Sequence, residues 1–148
     1  MTKTLSSFIV MLGLAFSFTA MQAQSSVFAR IAADPDLQEF EEAIIEAGLQ
    51  STFSTNGAYT IFAPTNDVFN IPGSFNEAQI REVVLRHCVA GFYRVFDLVD
   101  GFALNTMNQR MLTVDINGNG IFIAGNRVSR PDILGSNGVL HVLDSSIG

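Results

Sequence analysis

Two histidines, a single cysteine and one run of adjacent polar residues are the groups in this chain with the types for side-chain chemistry. Catalysis by such groups needs a nucleophile, a base and an orienting residue within hydrogen-bond reach. The best case for a hydrolytic enzyme joins His141 to Asp144, or to the Asn66-Asp67 turn. His87 and Cys88 are adjacent, on a stretch that reads as helix. Helix neighbours point about 100° apart, so they make a poor thiol–imidazole pair. His87 falls on the apolar stripe of that helix, and His141 sits in a strand with Val139 and Leu143 as same-face neighbours. Both positions suit a core imidazole bonded to backbone better than a catalytic base, and Cys88 suits a small apolar filler. The sequence has no His-Glu-x-x-His, no paired Cys-x-x-Cys and no calcium-loop ligand run in "DINGNG". Gly118-Asn119-Gly120 is followed by no helix start, so it is not a phosphate cradle. The expectation is no catalytic set, no metal and no cofactor.

The elements that must position these residues read as follows. Val27, Phe28 and Ile31 make a first amphipathic turn or two. Asp34 caps a second helix that begins at Pro35 and carries Leu37, Phe40, Ile44 and Ala47 on one face. Its acidic face, Asp36 to Glu46, is either a docking surface or a solvated face; acidic residues favour a helix start regardless. Gly48 ends the helix. Tyr59 to Ala63 is a strand stopped by Pro64, with Tyr59, Ile61 and Ala63 on one face and Thr60 and Phe62 on the other. A long helix then runs through "SFNEAQIREVVLRHCVAGF" to Gly91, capped by Ser74 with Glu77 or by Asn76. From Met111 the chain turns to strands: "MLTVDI" and "GIFIA" flank a hairpin, and "GVLHVLD" is entered through Asn137-Gly138. Helices first and strands mostly later predict an α+β fold.

Residues 4 to 29 carry no charge, Lys3 precedes them, and "FIVMLGLAFSF" is too short for a span of ~20 residues. Residues 1–23 are expected to be a secretory signal peptide, and 24–148 one domain. The remaining chain has seven arginines, no lysine and fourteen carboxylates. That balance argues against nucleic acid and anionic membranes as partners. It also excludes a Lys–Asn cross-link within the domain, and Cys88 alone excludes an internal disulfide. No cysteine lies near the cleavage region for lipid attachment. A soluble mature protein with no membrane insertion follows as an expectation.

"GAYTIFAPTNDVF" and "DILGSNGVLHVLDSSI" resemble the first and second signatures of the fasciclin domain family. "DPDLQEFEEAIIEAGL" is similar to its leading helices and "VFDLVDGFALNTMNQRMLTV" to its linking segment, so the resemblance runs from about Val27 to the end. It implies a twisted wedge or partial barrel of about seven strands packed with several helices. It implies a secreted or periplasmic module for adhesion or matrix interaction, binding a surface or matrix protein or a polysaccharide, without catalysis. The single-domain layout looks bacterial. Asp132 and Ile133 stand where animal matrix members have an Asp-Ile pair associated with integrin binding. Arg86 and His87 stand where those members have a Tyr-His pair, so the tyrosine is absent. The alternative for Asp132 and Ile133 is a turn cap beside a core isoleucine. Some fasciclin relatives bind pigments or lipids, and 13 phenylalanines keep an apolar carrier as a second reading. Thr65, Asn66 and Asp67, with Asn137 and His141, are expected to be structural: Thr65 caps a short helical turn, Asp67 suits its positive end, and Asn66 ties the turn to a neighbouring loop.

Overall fold

The structure, a computed structural model, describes residues 25–148. The expected leader, residues 1–23, lies outside them. Ser26 accepts a hydrogen bond from Ala29 N and opens α1, Val27–Ala32. Asp34 accepts from Asp36 N, as its type and place before proline predict. Pro35–Leu37 is a 3-10 turn rather than the first turn of the α-helix, and α2 starts at Gln38–Glu46. Gly48, at φ 72°, ends α2 by adopting a left-handed backbone. A short helix α3, Gln50–Ser54, follows; its five residues carry too little periodicity to be read in advance.

β1, Tyr59–Pro64, precedes α4, Glu77–Leu85. The cap of α4 is Asn76 in a reciprocal box with Gln79, and the Ser74–Glu77 alternative is not used. The helix is shorter than its apolar run suggests. It stops at Leu85, and Cys88–Ala90 forms β2, antiparallel to β1. His87 and Cys88 therefore lie beyond the helix. The run "HCVA" satisfies either period, and the open edge of β1 decides in favour of a strand.

β3 (Ala103–Asn105), β4 (Met111–Asn117), β5 (Gly120–Ile123), β6 (Asn126–Gly135) and β7 (Gly138–Leu143) complete a seven-stranded sheet. Its order is β2-β1-β7-β6-β5-β4-β3. A bridge between Val89 and Thr106 brings the two ends together, so the sheet is a nearly closed barrel. The expected α+β architecture of about seven strands is what forms.

β1 and β7 are buried on both faces. Ile61 and Ala63 join the core under the helices with Phe40, Ile44, Phe53 and Leu140. Phe62 points into the barrel with Val89, Leu112, Val114, Ile123 and Leu143. Asn137 lies where these layers meet. Its Oδ1 accepts from Val27 N at 2.8 Å. Its Nδ2 donates to Phe53 O at 3.0 Å and Thr55 O at 2.6 Å. One buried amide thus ties α1, α3 and the start of β7. The glycines beside it are required by close approach: a Cβ on Gly138 would lie 2.4 Å from Tyr59 O, and one on Gly135 would lie 2.6 Å from Val27 N.

Asn66 has an equivalent role on the other side. Its Oδ1 accepts from Glu39 N at 3.0 Å, its Nδ2 donates to Pro35 O at 2.9 Å, and its backbone N–H donates to Asp36 O at 2.9 Å. It satisfies the start of α2 from 27 residues away in sequence. No helix follows Thr65; the Thr65 hydroxyl donates to Asp67 instead of accepting from the backbone. Phe69 returns to the core and Val68 is half-buried.

Two substitutions test these clamps. Asn137→Ala leaves a buried N–H and two carbonyls without partners and is expected to cost about 3 kcal/mol in urea unfolding. Asn66→Ala is expected to cost ~1–2 kcal/mol, and Thr65→Ala less, because Thr65 bonds only its own turn. Equal effects at the two positions would contradict the bracket assigned to Asn66.

Candidate functional site

β6 is where the chain deviates most from a regular ladder. Its register against β7 shifts between Val128 and Arg130 and again between Arg130 and Ile133. Asp132 lies in the second irregularity with φ 59°. It belongs to a bulged strand and not to a turn, so Asp132 is not the turn cap of the alternative reading. Bulges re-aim side chains. Here the bulge sends the Asp132 carboxylate outward, half-exposed, while Ile133 packs against the helix-side core.

Three hydrogen bonds radiate from this point. Asp132 N donates to His141 Nδ1 at 3.2 Å. Asp132 Oδ1 accepts from Val95 N at 2.9 Å. His141 Nε2 donates to Tyr93 O at 2.7 Å. Because Nδ1 accepts, the ring is neutral and its proton is on Nε2. His141 is fully buried and stacks on Phe62, with ring centroids 5.4 Å apart. Burial holds its pKa below the ordinary value, against the Tyr93 carbonyl and the Asp132 charge, which both favour protonation. Thr60 completes the set: its hydroxyl donates to Gly91 O and accepts from Tyr93 N, each at 2.9 Å.

All of these bonds but that between Asp132 N and His141 hold the segment from Gly91 to Phe102. It includes a 3-10 turn, Val95–Asp97, and buries Leu98 in the barrel core. Tyr93 packs against that core and Val95 is half-buried, but four other apolar side chains face water: Phe96 is 90% exposed, Val99 64%, Phe92 41% and Phe102 39%. Sequence reasoning missed this surface. The signal was the density of aromatic residues in "FYRVFDLVDGF", which no helical or strand period accommodates.

His87 is fully buried and out of a partner's reach. Its Nδ1 donates to Val83 O at 2.9 Å and its Nε2 accepts from Ile147 N at 3.1 Å, so it fastens the C-terminal segment. Phe40 and Phe69 pack edge-on against the ring. Burial lowers its pKa to about 4. Arg86 caps α4 through its backbone, and its Nε is buried without a hydrogen bond. Cys88 is buried, and burial pushes its thiol pKa up, away from thiolate chemistry.

The structure does not assemble the hydrolytic set. Asp144 lies 3.8 Å from Arg127 and the Asn66–Asp67 turn is bound to residues 35–39. His141 meets Tyr93 and Asp132 instead. Among the described residues, no group of three or more histidine, cysteine, aspartate or glutamate side chains is placed to hold a metal. A groove of about 300 Å³ lies between α2 and residues 69–75, with Glu39, Glu42 and Glu46 beside Phe69, Ile71 and Phe75.

The profile of the fasciclin domain matches residues 35–148. This chain belongs to the fasciclin domain family. It is 26% identical over 131 residues to human periostin, covering 83% of this chain and 16% of that protein. It is 28% identical over 110 residues to the pig transforming growth factor-beta-induced protein ig-h3, again 16% of that protein. An uncharacterized protein of Synechocystis is 29% identical over 112 residues, covering 71% of this chain and 84% of that one. The chain thus spans about a sixth of the length of those two animal relatives. Among solved structures, the FAS1 domain pair of the insect cell adhesion molecule Fasciclin I superposes with a TM-score of 0.67 at 17% identity, over 84% of this chain and 51% of that one. The fasciclin fold is the one these residues adopt.

The two histidines give the site a pH signature. Both have folded pKa values below the unfolded value of ~6.5, so the unfolded chain takes up protons that the fold refuses. Their contribution to stability is complete above about pH 6.5 and is lost on acidification, for His87 down to about pH 4. The urea midpoint is expected to fall between pH 7.5 and 4.5, with His87 contributing about 2–3 kcal/mol. An NMR titration is expected to show His87 still neutral at pH 5; a midpoint near 6.5 would contradict its burial.

Proposed function

We propose that this protein is a secreted or periplasmic adhesion or matrix-interaction module that binds a surface or matrix protein or a polysaccharide without catalysis. Residues 1–23 serve as its signal peptide and 24–148 as its single binding domain. The observation that carries this reading is the fate of the second-signature residues. Asp132 and His141 spend their polar atoms holding a segment that exposes large apolar side chains, rather than meeting a nucleophile. Large apolar side chains exposed together on one fixed segment suit an interaction surface. Family membership points the same way, since the Fasciclin I relative is a cell adhesion molecule. The contact surface lies around Asp132 and Ile133, and buried His87 is not part of it.

An apolar carrier is the second reading. Ten of the phenylalanines lie in residues 25–148, and four of them, Phe28, Phe40, Phe53 and Phe62, are buried in packed core beside Phe69. The groove beside α2 is lined by three glutamates as well as apolar residues, which suits a lipid tail poorly.

Arrayed glycans and purified envelope or matrix proteins, probed with the full chain, test the proposal. Saturable binding is expected to at least one immobilised protein or polysaccharide, and Asp132→Ala is expected to weaken it at least fivefold. Native mass spectrometry is expected to show the apo mass. A bound lipid or pigment, with no binding on the arrays, would favour the carrier.

A further inference from the structure

We infer that the partner contact is the ridge of Phe92, Phe96, Val99 and Phe102, that Asp132 is its positioning residue, and that the partner is a protein with an apolar socket rimmed by arginine or lysine. This rests on the proposed binding function and names the partner class for the surface beside Asp132.

Single exposed apolar residues on a protein surface are ordinary. Four within eleven residues, led by a phenylalanine 90% exposed, are not, because apolar area left in water forgoes the burial that favours folding. The segment is fixed along its length. Tyr93 is bonded at both backbone groups, by Thr60 and His141. Val95 N reaches Asp132. Gly101 N donates to Val114 O, and Val114 N to Phe102 O, each at 2.7 Å. Asp100 Oδ1 accepts from Ile116 N at 2.8 Å. Leu98 roots the middle in the barrel core. A ridge held this way loses little freedom on docking. Aromatic anchors set in a partner's pocket are the side chains that dominate protein interfaces.

Charge selects the partner. Asp97 and Asp100 flank Phe96 and Val99, and Arg94 lies 3.8 Å from Asp97. The ridge is net acidic on a domain with twice as many carboxylates as arginines. A basic rim around the socket complements it, whereas an anionic membrane or polysaccharide is repelled. A second copy of this chain brings the same charge and is disfavoured for the same reason. Asp132 reaches this surface through its bond to Val95 N, and that bond needs an acceptor oxygen rather than a charge.

Two synthetic peptides with identical leucines, alternating with arginine in one and glutamate in the other, serve as probes of the full chain by fluorescence anisotropy. The arginine peptide is expected to bind at least tenfold more tightly than the glutamate peptide. Phe96→Ser with Val99→Ser is expected to weaken it at least tenfold with an unchanged melting temperature, since both side chains are exposed. Asp132→Ala is expected to weaken it fivefold or more. Asp132→Asn, which keeps the acceptor for Val95 N, is expected to stay within threefold. Loss on Asp132→Asn as large as on Asp132→Ala would make Asp132 a charged contact and overturn the positioning role. Loss on Glu42→Gln with Glu46→Gln but not on the Phe96 and Val99 changes would move the site to the α2 groove. Wild-type binding to phosphatidylcholine vesicles, or self-association in sedimentation, abolished by the ridge changes would replace the protein partner with a membrane or a second copy. Array hits unaffected by Phe96→Ser and Val99→Ser would refute the ridge while leaving the binding function intact; no array hits for the wild type would refute that function.

Discussion

The parallel pairing of β1 with β7 is the constraint on which the rest of the structure depends. Tyr59 lies opposite Gly138 and Pro64 opposite Leu143, so the two most apolar strands lie side by side although more than seventy residues separate them. Parallel strands cannot be joined by a tight turn. The intervening chain must cross over, and it does so as α4 and the strands that continue the sheet to near-closure. Both central strands are then covered on both faces, by helices on one side and by the barrel interior on the other. That double burial explains why their sequences are continuous apolar runs instead of alternating ones.

Such a centre leaves no water for polar groups, so the polar side chains fully buried in it take backbone partners. Thr60, His87, Asn137 and His141 all follow this rule. Their partners are the ends of elements and the irregular segments, where backbone groups are otherwise unpaired. Asn137 closes α1 and α3, His87 closes the C-terminal segment, and Thr60 with His141 closes the Gly91–Phe102 segment. The residues with the chemical capacity for catalysis are therefore the fasteners of the fold. Depressed imidazole pKa values and a raised thiol pKa come from that same burial.

The proposed binding surface is the one these fasteners create. The bulge at Asp132 breaks the β6 ladder and turns an acceptor toward Val95. A rigid barrel holds an irregular segment with its aromatic side chains outward, the usual division between scaffold and binding surface.

The two signatures were legible in the sequence, and with them the fold class, the hairpin at Gly118-Asn119, the Asp34 cap and the core character of both histidines. These follow from local rules: periodicity, turn chemistry and proline and glycine placement act within a few residues. Helix α4 was read too long, and β2, β3 and β6 went unassigned, because Cys88–Ala90 fits either period and only the open edge of β1 selects a strand. Asn66 was recognised as a tie, but not as the group that satisfies Glu39 N. The bulge at Asp132 and the exposed Phe96 lay beyond any local pattern. The sequence determined by itself which residues are apolar, where the chain turns and which family it belongs to, since these depend on neighbours along the chain. Only the tertiary structure decided which polar atoms are spent inside and which apolar groups are left outside, because both depend on contacts between residues far apart in the chain.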